Sequence, residues 1–64
     1  MLFKNRLNDE AVELSCKYKK LCEFLASEKF NELSRANQIL LGQQKEIMAA
    51  YLDVLDVRIA LLHD

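Results

Sequence analysis

The chain contains no proline, and its only glycine is Gly42. Proline and glycine are the residues least compatible with a helix interior, so their scarcity leaves few positions at which a helix must stop. Much of the remainder consists of leucine, alanine, glutamate, lysine and glutamine, which favour helices. The sequence therefore predicts an all-α fold, and no strand pattern competes with it.

Apolar residues in the first half recur at steps of three or four, the spacing that places side chains on one face of a helix. These residues are Phe3, Leu7, Ala11, Leu14, Tyr18, Leu21 and Leu25. Charged residues occupy most of the remaining circumference. We expect a helix over about residues 3–26, with one narrow apolar seam that can face a single neighbouring helix.

The sequence then predicts a corner. Ser27 and Ser34 are good helix N-cap residues, and Phe30 and Leu33 lie between them, where they can fold back onto the apolar seam. One continuous helix is the alternative, because neither proline nor glycine interrupts this stretch. The two serines and Asn31 favour the corner. We therefore predict a single domain over residues 1–64, an antiparallel two-helix hairpin with a short helical corner.

The second helix, over about residues 35–63, carries a much wider apolar surface. One row consists of Leu41, Met48, Leu55 and Leu62, and a second of Leu40, Ile47, Val54 and Leu61, flanked by Leu52 and Ile59. Together they cover roughly half of the helix circumference. One partner helix with a narrow seam cannot cover so wide an arc, and a large exposed apolar patch usually marks an interface. We expect a homo-oligomer, either a dimeric four-helix bundle or a larger ring. Its predicted interface consists of Leu41, Ile47, Met48, Leu52, Val54, Leu55, Ile59 and Leu62.

The length of 64 residues also favours self-association. A core this small supplies only about 3–5 kcal/mol unless a disulfide, a metal or a partner adds to it. Cys16 and Cys22 lie six residues apart on one predicted helix, on different sides, so they are poorly placed for a disulfide. Two cysteines and His63 do not complete a zinc site, so we expect no metal and no cofactor. With no secretory leader and no transmembrane run, we expect a cytoplasmic protein.

Gln44, Tyr51 and Arg58 interrupt the apolar arc at intervals of seven residues. Seven residues are close to two helical turns, so these side chains form a polar stripe between the two leucine-rich rows. In one interpretation the stripe sets the register of helix packing, with Arg58 paired to Glu10 or Glu13 on the facing helix. In the other, the stripes of several protomers line a shared pocket, where Arg58 holds an anion and Tyr51 offers a ring for stacking.

The charge balance and the motifs exclude several functions. Nine basic and ten acidic residues give a net charge of −1, without the basic excess that binding to a nucleic-acid polymer requires. No nucleophile lies beside a base, and no glycine-rich phosphate loop is present. We therefore expect a protein that is not an enzyme.

The segment "LCEFLASEKFNELSRANQILLGQQKEIMAAYLDVLDVRI" resembles a group of small helical accessory proteins of tailed phages and prophages, first noticed in crAss-like phages. The resemblance runs from about Leu21 to Ile59, about 60% of the chain. It consists of a leucine-rich helix end, a Ser-Glu-Lys-Phe corner over residues 27–30, and a set of later positions. These positions are Leu33, Leu40, Leu41, Gln44, Met48, Tyr51, Leu55 and Arg58.

The resemblance implies a phage or prophage protein that acts in the cytoplasm of the bacterial host. Many proteins of this kind disarm the host, some by blocking a host protein and others by forming oligomers that sequester nucleotide immune signals. The polar stripe fits sequestration better. We predict that the homo-oligomer sequesters a small anionic ligand, such as a nucleotide signal, through Arg58, Tyr51 and Gln44, with Lys45 as a weaker candidate. The alternative is a protein–protein inhibitor or adaptor that binds a bacterial host protein through an exposed helical face.

Overall fold

A computed structural model describes the backbone of residues 2–62 and the side chains of residues 6–62. It contains three helices, α1 (Leu2–Leu25), α2 (Glu28–Asn31) and α3 (Arg35–Leu62). The two long helices pack against each other and α2 forms the corner between them. The predicted all-helical hairpin is thus confirmed, with no strand in residues 2–62. None of the helices in this range is long and apolar enough to cross a membrane.

The two serines predicted as caps have different roles. Ser34 immediately precedes α3, and its Oγ accepts a hydrogen bond from the backbone N–H of Asn37 at 3.2 Å, which is the N-cap interaction expected of serine. Ser27 holds the N-cap position of α2 without a side-chain cap. Its hydroxyl instead donates to the carbonyl oxygen of Phe24 at 2.6 Å and so closes the end of α1.

Gln38 and two aromatic rings hold the corner. The Nε2 of Gln38 donates to the carbonyl oxygens of Phe30 at 3.0 Å and Leu33 at 3.3 Å. Carbonyls near a helix end lack the usual partner within the helix, and that of Phe30 also accepts from the backbone N–H of Leu33 at 3.1 Å. The rings of Phe24 and Phe30 meet edge to face, with their centroids 6.4 Å apart. The corner is therefore fixed by side chains from both long helices.

The apolar seam of α1 faces α3 as predicted. Leu7 is 4% exposed, and the members of the seam that follow it, together with Cys22, are half-buried: Ala11, Leu14, Tyr18, Leu21 and Leu25. The side chain of Phe3, which the sequence also placed on this seam, lies outside the described residues. On α3 the matching core residue is Leu55, which is fully buried.

Helix α3 carries two rows with alternating steps of three and four residues, only one of which meets α1. The inner row is half-buried or buried up to Ile59 and consists of Gln38, Leu41, Lys45, Met48, Leu52, Leu55, Ile59 and Leu62. The outer row is exposed throughout and consists of Ala36, Leu40, Gln43, Ile47, Ala50, Val54, Val57 and Leu61. At about 100° per residue, the two rows lie about 150° apart around the helix. One helix cannot cover both.

The hairpin is long and thin, with extents of 46 × 14 × 14 Å. Its accessible surface is 5149 Å², whereas a compact monomer of 7.4 kDa has about 4200 Å². The excess arises because two helices side by side form a single layer, and each keeps most of its circumference in solvent. The fold thus presents apolar surface, the outer row above all, that no other described residue covers.

Candidate functional site

The polar stripe predicted from the sequence lies on the surface of α3. Gln44, Tyr51 and Arg58 are all exposed. They are spaced by seven residues, so they follow one line along the helix, about 75° from the middle of the inner row and of the outer row alike. The stripe therefore borders both the contact with α1 and the uncovered apolar surface. Arg58 pays no desolvation penalty in this position, unlike a charge within a core.

Tyr51 is the member of the stripe that contacts α1. Its hydroxyl donates a hydrogen bond to a carboxylate oxygen of Glu10. Glu10, which the sequence offered as a partner for Arg58, pairs instead with Tyr51. The contact orients the phenol, and the residue remains 41% exposed, so part of the ring is accessible to a ligand.

Gln44 turns toward the inner row. Its Nε2 lies 3.9 Å from the sulfur of Met48, one helical turn further along. Thioether sulfur is a weak acceptor, so this contact holds the amide only loosely. The Gln44 amide can therefore exchange this contact for a stronger acceptor at small energetic cost.

Arg58 lies beside a shallow groove on the outer side of α3, which it lines together with Asp53, Val54 and Val57. The two valines form an apolar floor, and the guanidinium and the carboxylate stand at its edges. Guanidinium groups form two-pronged hydrogen bonds with carboxylates and phosphates. This arrangement can bind an acidic group through Arg58 or a basic one through Asp53, with apolar contact below.

Lys45, the weaker ligand candidate, lies on a different face. It belongs to the inner row and is half-buried where α3 faces α1. Around the helix it is more than about 90° from Gln44 and Arg58. Within one chain it does not join the stripe.

The eight residues predicted for an oligomer interface lie on both faces of α3. Leu41, Met48, Leu52, Leu55 and Ile59 are on the inner row, Ile47 and Val54 are exposed on the outer row, and Leu62 at the helix end is 39% exposed. Leu55 has no exposed surface left to contribute to a contact between copies. The surface that remains for such a contact is the outer row.

Only half of the outer row was predicted from the sequence, namely Leu40, Ile47, Val54 and Leu61. The alternate positions were not included in the predicted apolar surface: Ala36, Gln43, Ala50 and Val57. The signal was available, since the steps of three and four continue unbroken from Ala36 to Leu61. It was obscured because alanine and glutamine are weakly apolar or polar.

The cysteine and acidic side chains among residues 6–62 form no metal site. Cys16 is a free thiol on the surface and Cys22 a half-buried one. Across the described part of the chain, no cluster of three or more histidine, cysteine, aspartate or glutamate side chains could hold a metal ion. His63, considered as a zinc ligand from the sequence, lies outside that part.

Comparison with protein families shows which family the chain resembles over nearly its whole length. The model of the family described as Sequestin matches residues 1–61. The match includes the first twenty residues, which the resemblance to phage accessory proteins did not reach. No curated protein and no solved structure is significantly similar to the chain.

Proposed function

Since the chain belongs to the Sequestin family, whose name is consistent with a sequestering role, we propose that it is a binding protein that sequesters a small anionic ligand. We further propose that the ligand is a nucleotide immune signal, that the binding form is a homo-oligomer, and that the protein is a phage accessory factor without enzymatic activity. The exposed stripe of Gln44, Tyr51 and Arg58 is the observation that carries this proposal.

The stripe offers the three kinds of contact that a nucleotide requires. Arg58 supplies a permanent positive charge with a planar donor set suited to phosphate. Tyr51 supplies a partly accessible ring for base stacking, oriented by Glu10. Gln44 supplies amide donors and an acceptor for a base or sugar edge. Lys45 joins this set only if a second copy brings its amine near the stripe.

A sequestering protein needs no reaction chemistry, which fits the site. Its effect depends on the amount of protein and on affinity, because it removes free ligand by mass action. A small chain produced in quantity suits that task. An oligomer adds binding capacity, because every copy contributes a stripe of its own.

Ligand recovery tests the proposal. Protein purified from bacteria that produce nucleotide immune signals should release a nucleotide on heating, detected by absorbance at 260 nm and identified by mass spectrometry. Arg58→Ala should reduce the recovered nucleotide at least about ten-fold, because one charge-assisted contact to phosphate contributes about 1.5–3 kcal/mol. Arg35→Ala is the matched control, since Arg35 is also exposed on α3 but lies off the stripe.

Two results would contradict ligand sequestration. One is the recovery of no small molecule from the wild-type protein. The other is an Arg58→Ala variant that retains as much nucleotide as the Arg35→Ala control. Circular dichroism of each variant checks that the helices are intact.

The exposed outer row supports a second candidate, a protein–protein inhibitor or adaptor acting on a bacterial host protein. An apolar helical face is a common docking surface for another helix. This candidate predicts that a host protein co-purifies in stoichiometric amount and that Ile47→Glu, rather than Arg58→Ala, removes it.

A further inference from the structure

The outer row of α3 has the pattern of a coiled-coil seam without a partner. Its steps of three and four repeat those of the inner row, which packs against α1. Leu40 is 59% exposed, Ile47 68%, Val54 52% and Leu61 66%. Seven-residue repeats of this kind interlock with the same pattern on another helix. The polar outer face usual in a hairpin is replaced here by a second apolar seam.

We propose that the outer row packs against the outer row of a second copy of the chain, with the two α3 helices parallel and in register. The contact places α3 of each copy at the centre of a four-helix dimer and α1 of each copy on the outside. It covers the apolar surface that the thin hairpin leaves in solvent.

Charges beside the seam favour the parallel orientation. Glu46 and Asp53 line one edge of the outer row and are exposed, as is Arg58 on the opposite edge. In a parallel pair, the residue just before Leu40, Ile47, Val54 or Leu61 lies beside the residue five places further along the other helix. Asp53 therefore lies beside Arg58 of the second copy, and two-fold symmetry makes the ion pair twice. Flanking ion pairs of this type set partner choice and orientation in coiled coils.

The antiparallel orientation is opposed by the same residues. When two antiparallel outer rows are aligned so that their seam residues face each other, Glu46 lies opposite Asp53 of the second copy. Two-fold symmetry makes this contact twice. These like charges repel, and neither has a basic neighbour along that edge. The antiparallel pair also leaves Arg58 facing Asn37, an uncharged side chain.

Gln43 supports the parallel orientation independently. It is the polar member of the outer row and is exposed. In register and parallel, Gln43 faces Gln43 of the second copy, and two amides can hydrogen bond to each other because each has a donor and an acceptor. In the antiparallel pair the amide faces Val54, which offers it no partner. A single polar residue in a seam is a known determinant of register.

The dimer specifies the oligomer that the proposed function invokes, and it leaves Arg58 able to bind an anion. A guanidinium has five N–H donors, so a two-pronged contact with Asp53 of the second copy leaves three. The two ideas remain separable by experiment. A dimer that carries no nucleotide contradicts sequestration but not the dimer, and a monomer that carries one contradicts the dimer but not ligand binding.

Charge exchange tests the contact. Light scattering at about 100 µM, a concentration well above a micromolar Kd, should give a mass about twice the 7.4 kDa of the chain. Asp53→Arg should weaken dimerisation about ten-fold, because two exposed ion pairs are lost and two repulsions replace them. The double variant Asp53→Arg/Arg58→Asp should restore it. Asp56→Arg, the same change at an exposed site on the side of α3 away from the outer row, should have no effect.

Crosslinking tests the orientation. With Cys16→Ser and Cys22→Ser, the added change Leu61→Cys should form a disulfide between copies on mild oxidation, because identical seam positions lie side by side only in a parallel pair. An antiparallel pair separates the two thiols by about 25 residues of helix, roughly 37 Å. A folded monomer at 7.4 kDa would overturn the proposal and leave the outer row for another protein. A dimer that the double exchange does not rescue, or that Leu61→Cys does not crosslink, would overturn the parallel arrangement.

Discussion

Tyr18 is an ionisable residue whose pKa is clearly shifted by its neighbours. It is half-buried on α1, and the hydrogen bond with the Cys22 side chain, one turn away, raises its pKa above the usual range. The charge of the Cys22 thiolate, burial and the charge of Asp53 act in the same direction. All four favour the neutral phenol over the phenolate.

The folded protein should therefore titrate Tyr18 at higher pH than the unfolded chain. A raised pKa in the folded state stabilises the fold below the unfolded pKa, and this contribution disappears as pH rises through the folded pKa. Tyr51→Phe leaves Tyr18 as the only tyrosine, so absorbance at 295 nm, where the phenolate absorbs, follows it alone. Cys22→Ala should lower the observed pKa, while Cys16→Ala should not. Equal midpoints for the two alanine variants would contradict the assigned cause.

The corner shows how separate elements depend on one side chain. Gln38 belongs to α3, yet it donates to carbonyl oxygens at Phe30 and Leu33. Without it the Leu33 carbonyl must find water, whereas the Phe30 carbonyl keeps only its bond from the backbone N–H of Leu33. The Gln38 amide thus ties the start of α3 to the corner at which the chain reverses direction.

Gln38→Met should lower the free energy of unfolding by about 1–2 kcal/mol. The substitution keeps the side-chain length and removes both donated hydrogen bonds, each of which contributes about 0.5–1.5 kcal/mol. Urea unfolding followed by circular dichroism measures the change, at one fixed protein concentration. Asn37→Met is the control, because Asn37 is exposed and uses its backbone N–H to reach Ser34. Equal stability of the two variants would mean that the corner does not depend on the Gln38 amide.

The whole molecule has very little interior. Leu7 and Leu55 are its only buried apolar residues among side chains 6–62. Stability must therefore depend strongly on each of them and on any surface covered by a second copy. A dimer also makes stability depend on protein concentration.

Leu55→Ala should abolish most of the folded state at micromolar concentration. Truncating a buried leucine costs about 2–5 kcal/mol, which is comparable to the about 3–5 kcal/mol that a core of this size supplies. Circular dichroism at 222 nm should show most of the helical signal lost. Val12→Ala, at a residue that is 62% exposed, should leave the signal unchanged. A folded Leu55→Ala variant would show that the hairpin has a larger source of stability than its own interior.

Helix positions could be predicted closely because they depend on local chemistry. The predicted bounds 3–26 differ from Leu2–Leu25 by one residue at each end, and the predicted start at residue 35 is that of Arg35–Leu62. The predicted end at residue 63 lies outside the described residues. The cap at Ser34 and the seam of α1 also follow from residue type and spacing alone. The candidate stripe was likewise visible as three polar residues at seven-residue intervals, and its exposure is consistent with either interpretation of its role.

Residue types and their spacing were enough to predict two amphipathic helices joined by a corner, and an α3 with more apolar surface than one neighbour can cover. The packing of the two helices was needed to show which row of α3 meets α1, that Glu10 contacts Tyr51, and that Gln38 holds the corner. Periodicity fixes the positions of side chains around one helix axis. The rotation of one helix against another depends on contacts between residues distant in sequence, and these exist only once the hairpin has closed.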